Sequence, residues 1–383
     1  MKHNPLYIEI HALQTVPPSN INRDDTGSPK TARFGGVTRA RVSSQAWKKA
    51  IRDEFSRVLN PDELGQRTKH VVDLIAAAIE DIDSQMEHEE AISLASGVLA
   101  ATGIKVGKDN STGYLVFVSA MQAKRLAQLA IDANRNGQKV SAKEAKRVLN
   151  AKESPNLNAV DIAMFGRMVA DDPSLNVDAA VQVAHAIGVN RSEVEFDYFT
   201  ALDDCSPADN AGAAMIETTE FLSAMLYRYA TIDVYHLYEN LGSVDVAQKA
   251  VGAFVKAFIT SMPTGKQNSF ANRTLPSAVI VKVSDVQPVN LVNAFERPIA
   301  ATADKNMLEV ACEKLIEQEK RTCDAFGLNP LMTYTISAGA GSECLKDIEA
   351  SNPVSLGGLL AELDSQVSSY LFAVKASGDI EVE

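Results

Sequence analysis

A chain of 383 residues that is 46% hydrophobic and 22% charged has the composition of a globular protein and the length for two or three cores. No run approaches the 18 or more uninterrupted apolar residues of a membrane span and no signal-peptide pattern opens the chain, which argues against a membrane partner and for a cytoplasmic protein. Scattered cysteines without a CxxC pair and dispersed histidines without HxxxH or HExxH spacing exclude the commonest metal sites and a disulfide framework, so neither metal nor cofactor is expected, and the net charge of −12 excludes a surface that attracts polyanions everywhere.

Leu6 to Leu13 alternates in part, Tyr7, Glu9 and His11 against Leu6, Ile8 and Ile10, and reads as a first strand. Next comes the most informative segment. Between Lys30 and Arg52 stand Lys30, Arg33, Arg39, Arg41, Lys48, Lys49 and Arg52 with no acid among them; without those seven charges the chain would carry about −19. The strip is a local anion site. Phe34-Gly35-Gly36 lets the backbone turn sharply and lets a ligand approach its N–H groups. Ser43 or Ser44 caps a helix from about Ser44 to Leu59, on which Trp47, Ala50, Ile51 and Phe55 form an apolar face. Lys48, Lys49 and Arg52 project from the other faces, near a helix N-terminus that itself favours phosphate. Glycine turn, hydroxyl cap and basic helix together predict a phosphate cradle; the plainer reading is a solvated amphipathic helix behind a basic loop.

From Pro61 to about His185 the pattern is helical and Ala-rich, with segments at Leu64–Met86, Glu89–Ala101, Ala120–Asn134, Ser141–Leu149 and Val177–Ile187. This block reads as an insertion. Within it, Gly113 to Val118 reads as a buried strand. Val194 to Leu202 and Glu220 to Ile232 have period-two character with aromatic and β-branched enrichment and read as strands. Between them Asp203–Thr219 is polar and small, a loop long enough to protrude as a hairpin tip. A helix from Val244 to Met262 and a strand from Ala278 to Val283 follow. Without the insertion the order is β-α-β-β-α-β, the ferredoxin-like order shared with RNA-recognition modules. The aromatic signature of ordinary RNA-recognition sheets is missing, so RNA binding would rest on phosphate contacts and shape.

Several blocks in order carry a family resemblance: NRDD at Asn22–Asp25, FGGxxRxRxSSQ at Phe34–Gln45, GRM at Gly166–Met168, YFT at Tyr198–Thr200 followed by ALDD, TTEF and LYRYA, PTGKQNSFA at Pro263–Ala271 and VNAFE at Val292–Glu296. Over nearly its full length the chain resembles the CasC-type backbone subunits of type I-E CRISPR Cascade complexes. The resemblance implies an α+β fold shaped as a right hand. Its parts are an RRM-like (ferredoxin-like) palm of residues 1–59 and 190–383, a helical fingers insertion of residues 60–189, and a protruding β-hairpin thumb with its loop at 203–219. It further implies a non-catalytic protein whose copies polymerise head to tail along a CRISPR RNA and present it to target DNA for guide pairing. The implied partners also include the large, small, RNA-processing and 5′-handle-binding subunits.

Carried over by position, Arg23, Lys30, Ser43, Gln45, Lys48 and Lys49 match the phosphate-contacting palm. Lys49 stands where relatives often carry arginine, which forfeits bidentate geometry. Arg41 and Arg52 join them from the basic strip. In the GRM triplet, Met168 matches an apolar wedge against the bases, although methionine by itself reads as core, and Arg167 precedes it. Tyr198, Phe199 and Thr200 lie where the thumb begins; the thumb tip, Ser206–Met215, matches poorly. Lys266 is no P-loop lysine, because Thr260 replaces the required upstream glycine, and it reads as a basic contact from a helix-ending turn. The acid pairs Asp24-Asp25 and Asp203-Asp204 sustain one alternative, a metal-dependent RNA-cleaving backbone subunit as in type III effectors. Adjacent aspartates in turns are more often turn formers.

Overall fold

The computed structural model describes residues 5–201 and 215–376. The first strand, β1 (Tyr7–Ser19), places Ile8, Ile10 and Ala12 on one face and His11 and Leu13 on the other, all buried. A strand covered on both sides belongs in the middle of a sheet. A hairpin that the sequence reading missed follows, β2 (Thr31–Phe34) and β3 (Val37–Val42). Gly35 and Gly36 join them with φ of 58° and 80°, the positive values a two-residue hairpin turn requires.

That turn corrects the cradle expectation. A Cβ on Gly35 would overlap the carbonyl of Glu296, so the close approach this glycine permits is to protein backbone. Gly35→Ala is therefore expected to lower the melting temperature by several degrees. Gly36→Ala has open space around it and costs only the left-handed strain of about 1–2 kcal/mol; comparing the two melting curves checks the assignment.

Helix α1 (Ser44–Phe55) starts as the sequence predicts and buries Trp47, Ala50, Ile51 and Phe55. After it the chain builds a separate helical unit. Strand β4 (Gly65–Thr68) pairs antiparallel with β5 (Val116–Ser119), which overlaps the second half of the predicted buried strand. Around them pack α2 (Val71–Ile82), α3 (His88–Ala101), α4 (Ala120–Arg135) and α5 (Ala142–Leu149). Ile75, Ile79, Leu99, Leu126, Ile131 and Val148 give this unit its own core. The short α6 (Val160–Phe165) instead turns Val160, Ala163 and Met164 toward the main core.

The predicted helix at Val177–Ile187 does not form. Its residues make β6 (Val181–Val183), paired with the later strand β9, and β7 (Ala186–Gly188), paired with both β3 and β9. Sheet pairing here overrides a weak local helical pattern. Strand β8 (Glu195–Ala201) then pairs with β9 (Met215–Asp233). Because β9 begins at Met215, residues 215–219 are ladder and not loop as predicted. The remainder of the predicted loop, 203–214, with Asp203 and Asp204, lies outside the described residues.

Helices α7 (Val234–Leu241), α8 (Val244–Thr260) and α9 (Gln267–Phe270) precede β10 (Ala278–Ser284). The C-terminal part supplies α10 (Met307–Phe326), β11 (Met332–Ser337), β12 (Ser351–Pro353) and α11 (Leu356–Ala376). The result is a mixed α+β fold around a large, mostly antiparallel sheet of order β12-β11-β10-β1-β9-β7-β3-β2, from which β6 and β8 branch at β9. Ile51 and Phe55 of α1, Phe254 and Phe258 of α8 and Leu363 of α11 close one face of the sheet. Leu291, Phe295, and Ala311 and Leu315 of α10 close the other against Leu13, Tyr227 and Ile280. With both faces buried, no open sheet surface remains between these layers, among the described residues, for bases to stack upon. Among the described residues, no helix is long and apolar enough to cross a membrane.

Candidate nucleic-acid interface

Burial divides the basic strip into two groups. Arg39 is fully buried, and its guanidinium donates to the carbonyls of Phe34, Gly188, Val189, Phe295 and Glu296. It joins β3 to two distant segments and is no ligand contact. Arg33 lies at the surface and donates to Gly36 O in its own turn at 3.1 Å. The glycine turn stands at the far end of β3, about 20 Å from Ser43 at strand rise. The predicted cradle therefore separates into parts.

What remains is a basic face running from the 22–30 loop to α1. Arg23 is exposed, Lys30 and Arg41 are half-buried, and the Arg41 amide donates to Lys30 O at 2.9 Å. That bond continues the β2–β3 register and sets the two side chains opposite each other on one face. Ser43 is buried: its Oγ accepts from the Ala46 amide at 3.3 Å and its own amide donates to Asn22 Oδ1 at 2.8 Å. Its role is the cap, not a surface contact.

On α1, Gln45, Lys48, Lys49 and Arg52 line an open cleft of about 740 Å³, and the wall facing them includes Arg67, Leu115, Phe117, Phe165, Arg167 and Met168. Lys48 Nζ sits 5.5 Å from the centroid of Phe165, and partial burial depresses its pKa. Exposed Lys49 pairs with Asp53 one turn on, a contact of little energy in water. Arg52 is held more firmly: it donates to Asp161 Oδ2 at 3.0 Å and lies 4.5 Å from the Phe117 ring centroid. Burial raises the Asp161 pKa, Arg52 counteracts it, and the Gly65 amide adds a hydrogen bond at 2.8 Å. The pair ties α1 to the helical unit, so Arg52 offers less free charge than its sequence position suggests.

The GRM triplet divides its labour by residue. Gly166 ends α6 at φ 80°, where a Cβ would lie 2.9 Å from Val177 O. Arg167 then turns inward. It donates to Leu175 O at 3.0 Å, Phe117 O at 3.3 Å and Gln122 Oε1 at 3.1 Å, and to Leu149 O. Desolvation lowers its pKa to about 10, which leaves it charged at neutral pH. The nucleic-acid contact predicted for Arg167 is thus corrected to a buried anchor. Met168 turns outward and is 80% exposed, which removes the core reading.

In the β8–β9 hairpin, Tyr198 is 63% and Phe199 37% exposed, and Thr200 is exposed beside them. Phe196, absent from the sequence candidates, is 69% exposed on the same strand face as Tyr198. Half-buried Lys266 follows a turn in which Gly265 packs against Ile21, which brings it beside the loop bearing Arg23. Asp24 Oδ1 accepts from the Thr26 amide and hydroxyl and the Ser28 amide, at 2.9, 2.7 and 3.0 Å, and these bonds lower its pKa. That is a turn-forming aspartate. Among the described residues no cluster of three His, Cys, Asp or Glu is placed to hold a metal. Exposed Arg67, opposite the α1 lysines, also escaped the sequence reading because it lies in the helical unit outside any basic run.

Compared with protein-family models, residues 8–361 match that of the CT1975-like protein. Among solved structures, a chain of a CRISPR RNA-guided surveillance complex in its pre-nicking form superimposes with a TM-score of 0.80 at 30% identity, covering 95% of this chain and 100% of that one. A chain of another CRISPR RNA-guided surveillance complex gives 0.70 at 25% identity, covering 95% and 99%. No curated protein matches.

Proposed function

We propose a function from one established premise: the chain belongs to the CT1975-like family and is a Cascade backbone-type protein. It binds CRISPR RNA through its basic face and polymerises along it as the backbone of a type I-E complex. The guide is thereby presented for pairing with target DNA, alongside the large, small, RNA-processing and 5′-handle-binding subunits. The observation that carries this reading is the shared cleft: Gln45, Lys48 and Lys49 from α1 meet an exposed Met168 from a distant segment. Cations that meet phosphates and an apolar side chain that meets bases are what a sequence-independent single-strand site requires. The antiparallel order β10-β1-β9-β6, with α1 and α8 on one face, supports an RRM-like palm.

The test is co-expression with a CRISPR array, sizing of the purified particle and sequencing of its RNA; protein free of RNA would overturn the proposal. In titrations with single-stranded RNA, Lys48→Ala/Lys49→Ala should flatten the plot of log K against log salt by about 1.4, or about 0.7 per lost phosphate contact. An unchanged slope would remove α1 from the interface. We propose no nuclease activity, since Asp24 is engaged within its turn; labelled complementary RNA should stay intact with magnesium, and cleavage would favour the type III alternative.

A further inference from the structure

We infer that His185 is a further phosphate-contacting residue of this interface, presenting its Nε2–H between Lys30 and Arg41. The inference rests on the RNA-binding reading and extends it to a residue in the β6–β7 connection.

The start of α1 is already hydrogen-bonded from within the protein. Asn22 Oδ1 takes the Ser43 amide at 2.8 Å, Ser43 Oγ takes the Ala46 amide at 3.3 Å, and His185 Nδ1 takes the Ser44 amide at 2.9 Å. An incoming phosphate would therefore meet side chains there and not these backbone groups. An amide can only donate, so Nδ1 must be the accepting nitrogen and the ring proton must sit on Nε2. His185 is exposed, and among the described residues Nε2 has no partner. The ring thus converts an acceptor at the helix start into a donor at the surface.

Lys30 and Arg41 stand opposite each other on one face of the β2–β3 ladder, and neither has a carboxylate at ion-pair distance among the described residues. Like charges directly across a ladder are destabilising unless something neutralises them. The register Val42↔Ala186 carries β7 alongside and brings His185 to the same end of that ladder. Burial, then Arg41 and Lys30, depress the His185 pKa, in keeping with a ring that remains a neutral donor. Two cations without a carboxylate partner, of which Arg41 spends only its Nε–H, on Thr31 O at 3.4 Å, and one free N–H at the same end of the ladder match the oxygens of a backbone phosphate.

The test uses the full chain and a labelled single-stranded RNA. Asparagine at the position keeps an acceptor for the Ser44 amide but has nothing at the reach of Nε2. His185→Asn is expected to melt with wild type and to bind RNA about tenfold more weakly, the usual scale for a hydrogen bond to a charged group. Its salt slope should be unchanged, because a neutral donor releases no counterion, whereas Lys30→Ala should flatten the slope by about 0.7. Wild-type affinity in His185→Asn, a flattened slope, or a loss that follows a lowered melting temperature would each overturn the inference. A wild-type chain that does not bind RNA would overturn the underlying reading as well, and the two failures are told apart by that control.

Discussion

Arg167→Ala is expected to destabilise the free protein by about 3 kcal/mol or more, because it strips the donor from three buried carbonyls, those of Leu175, Phe117 and Leu149, and each costs about 1–3 kcal/mol when left unpaired. The neighbouring change Met168→Ala should leave the melting temperature within error, since truncation of an exposed side chain typically changes stability by less than about 0.5 kcal/mol. The functional readouts should reverse. In the reconstituted complex, Met168→Ala should slow target-strand pairing by about tenfold, corresponding to about 1.4 kcal/mol of lost contact, while salt-dependent RNA binding survives. Thermal melts of both variants and pairing kinetics of the second decide the matter. A large stability loss in Met168→Ala would end the wedge assignment.

The second large effect is expected from the hairpin. Among the described residues, none of β8 belongs to a hydrophobic core, and the strand pairs with β9 alone. Replacing residues 199–217 with Asn-Gly, so that the opposed pair Tyr198 and Thr218 flanks a two-residue turn, should preserve the fold while abolishing regular growth along RNA. Circular dichroism reports the first outcome and negative-stain microscopy the second. Normal filaments from the shortened chain would show that the hairpin does not act on a neighbour.

Elements with strong periodicity were legible in the sequence: β8, the core half of β9, α8 and β10 stand close to where the pattern places them, and β1 begins where predicted but runs six residues further, to Ser19. The β2–β3 hairpin was not, because Thr31–Val42 alternates with arginines and its charge drew attention to ligands before pairing. Arg39 and Arg167 were misread for a related reason. A sequence records that a side chain is charged but not that it is buried, and the partners that make burial tolerable here are mostly backbone carbonyls, which every residue has. Met168 was legible only through its GRM context, and the structure supplies the mechanism: the glycine turns, the arginine anchors and the methionine is presented. Nothing local marks Arg67 or His185, since each acquires its place from chain segments remote in sequence.

Strand β9 runs without interruption from Met215 to Asp233, so the hairpin and the centre of the sheet are one piece of backbone. The hairpin leaves beside the irregularity in β1 between Val16 and Ser19, where the local twist is increased. No joint intervenes at which the arm could swivel on its own. Its outer seven residues extend about 24 Å, so a change of 10° in the direction in which the strand leaves the root would displace the far end by about 4 Å. The pitch of any array built from this chain would then be an inherited property of side-chain packing around Ala224 and Leu226, set before a partner arrives. Substitutions there should alter the spacing of the array while leaving every contact residue intact.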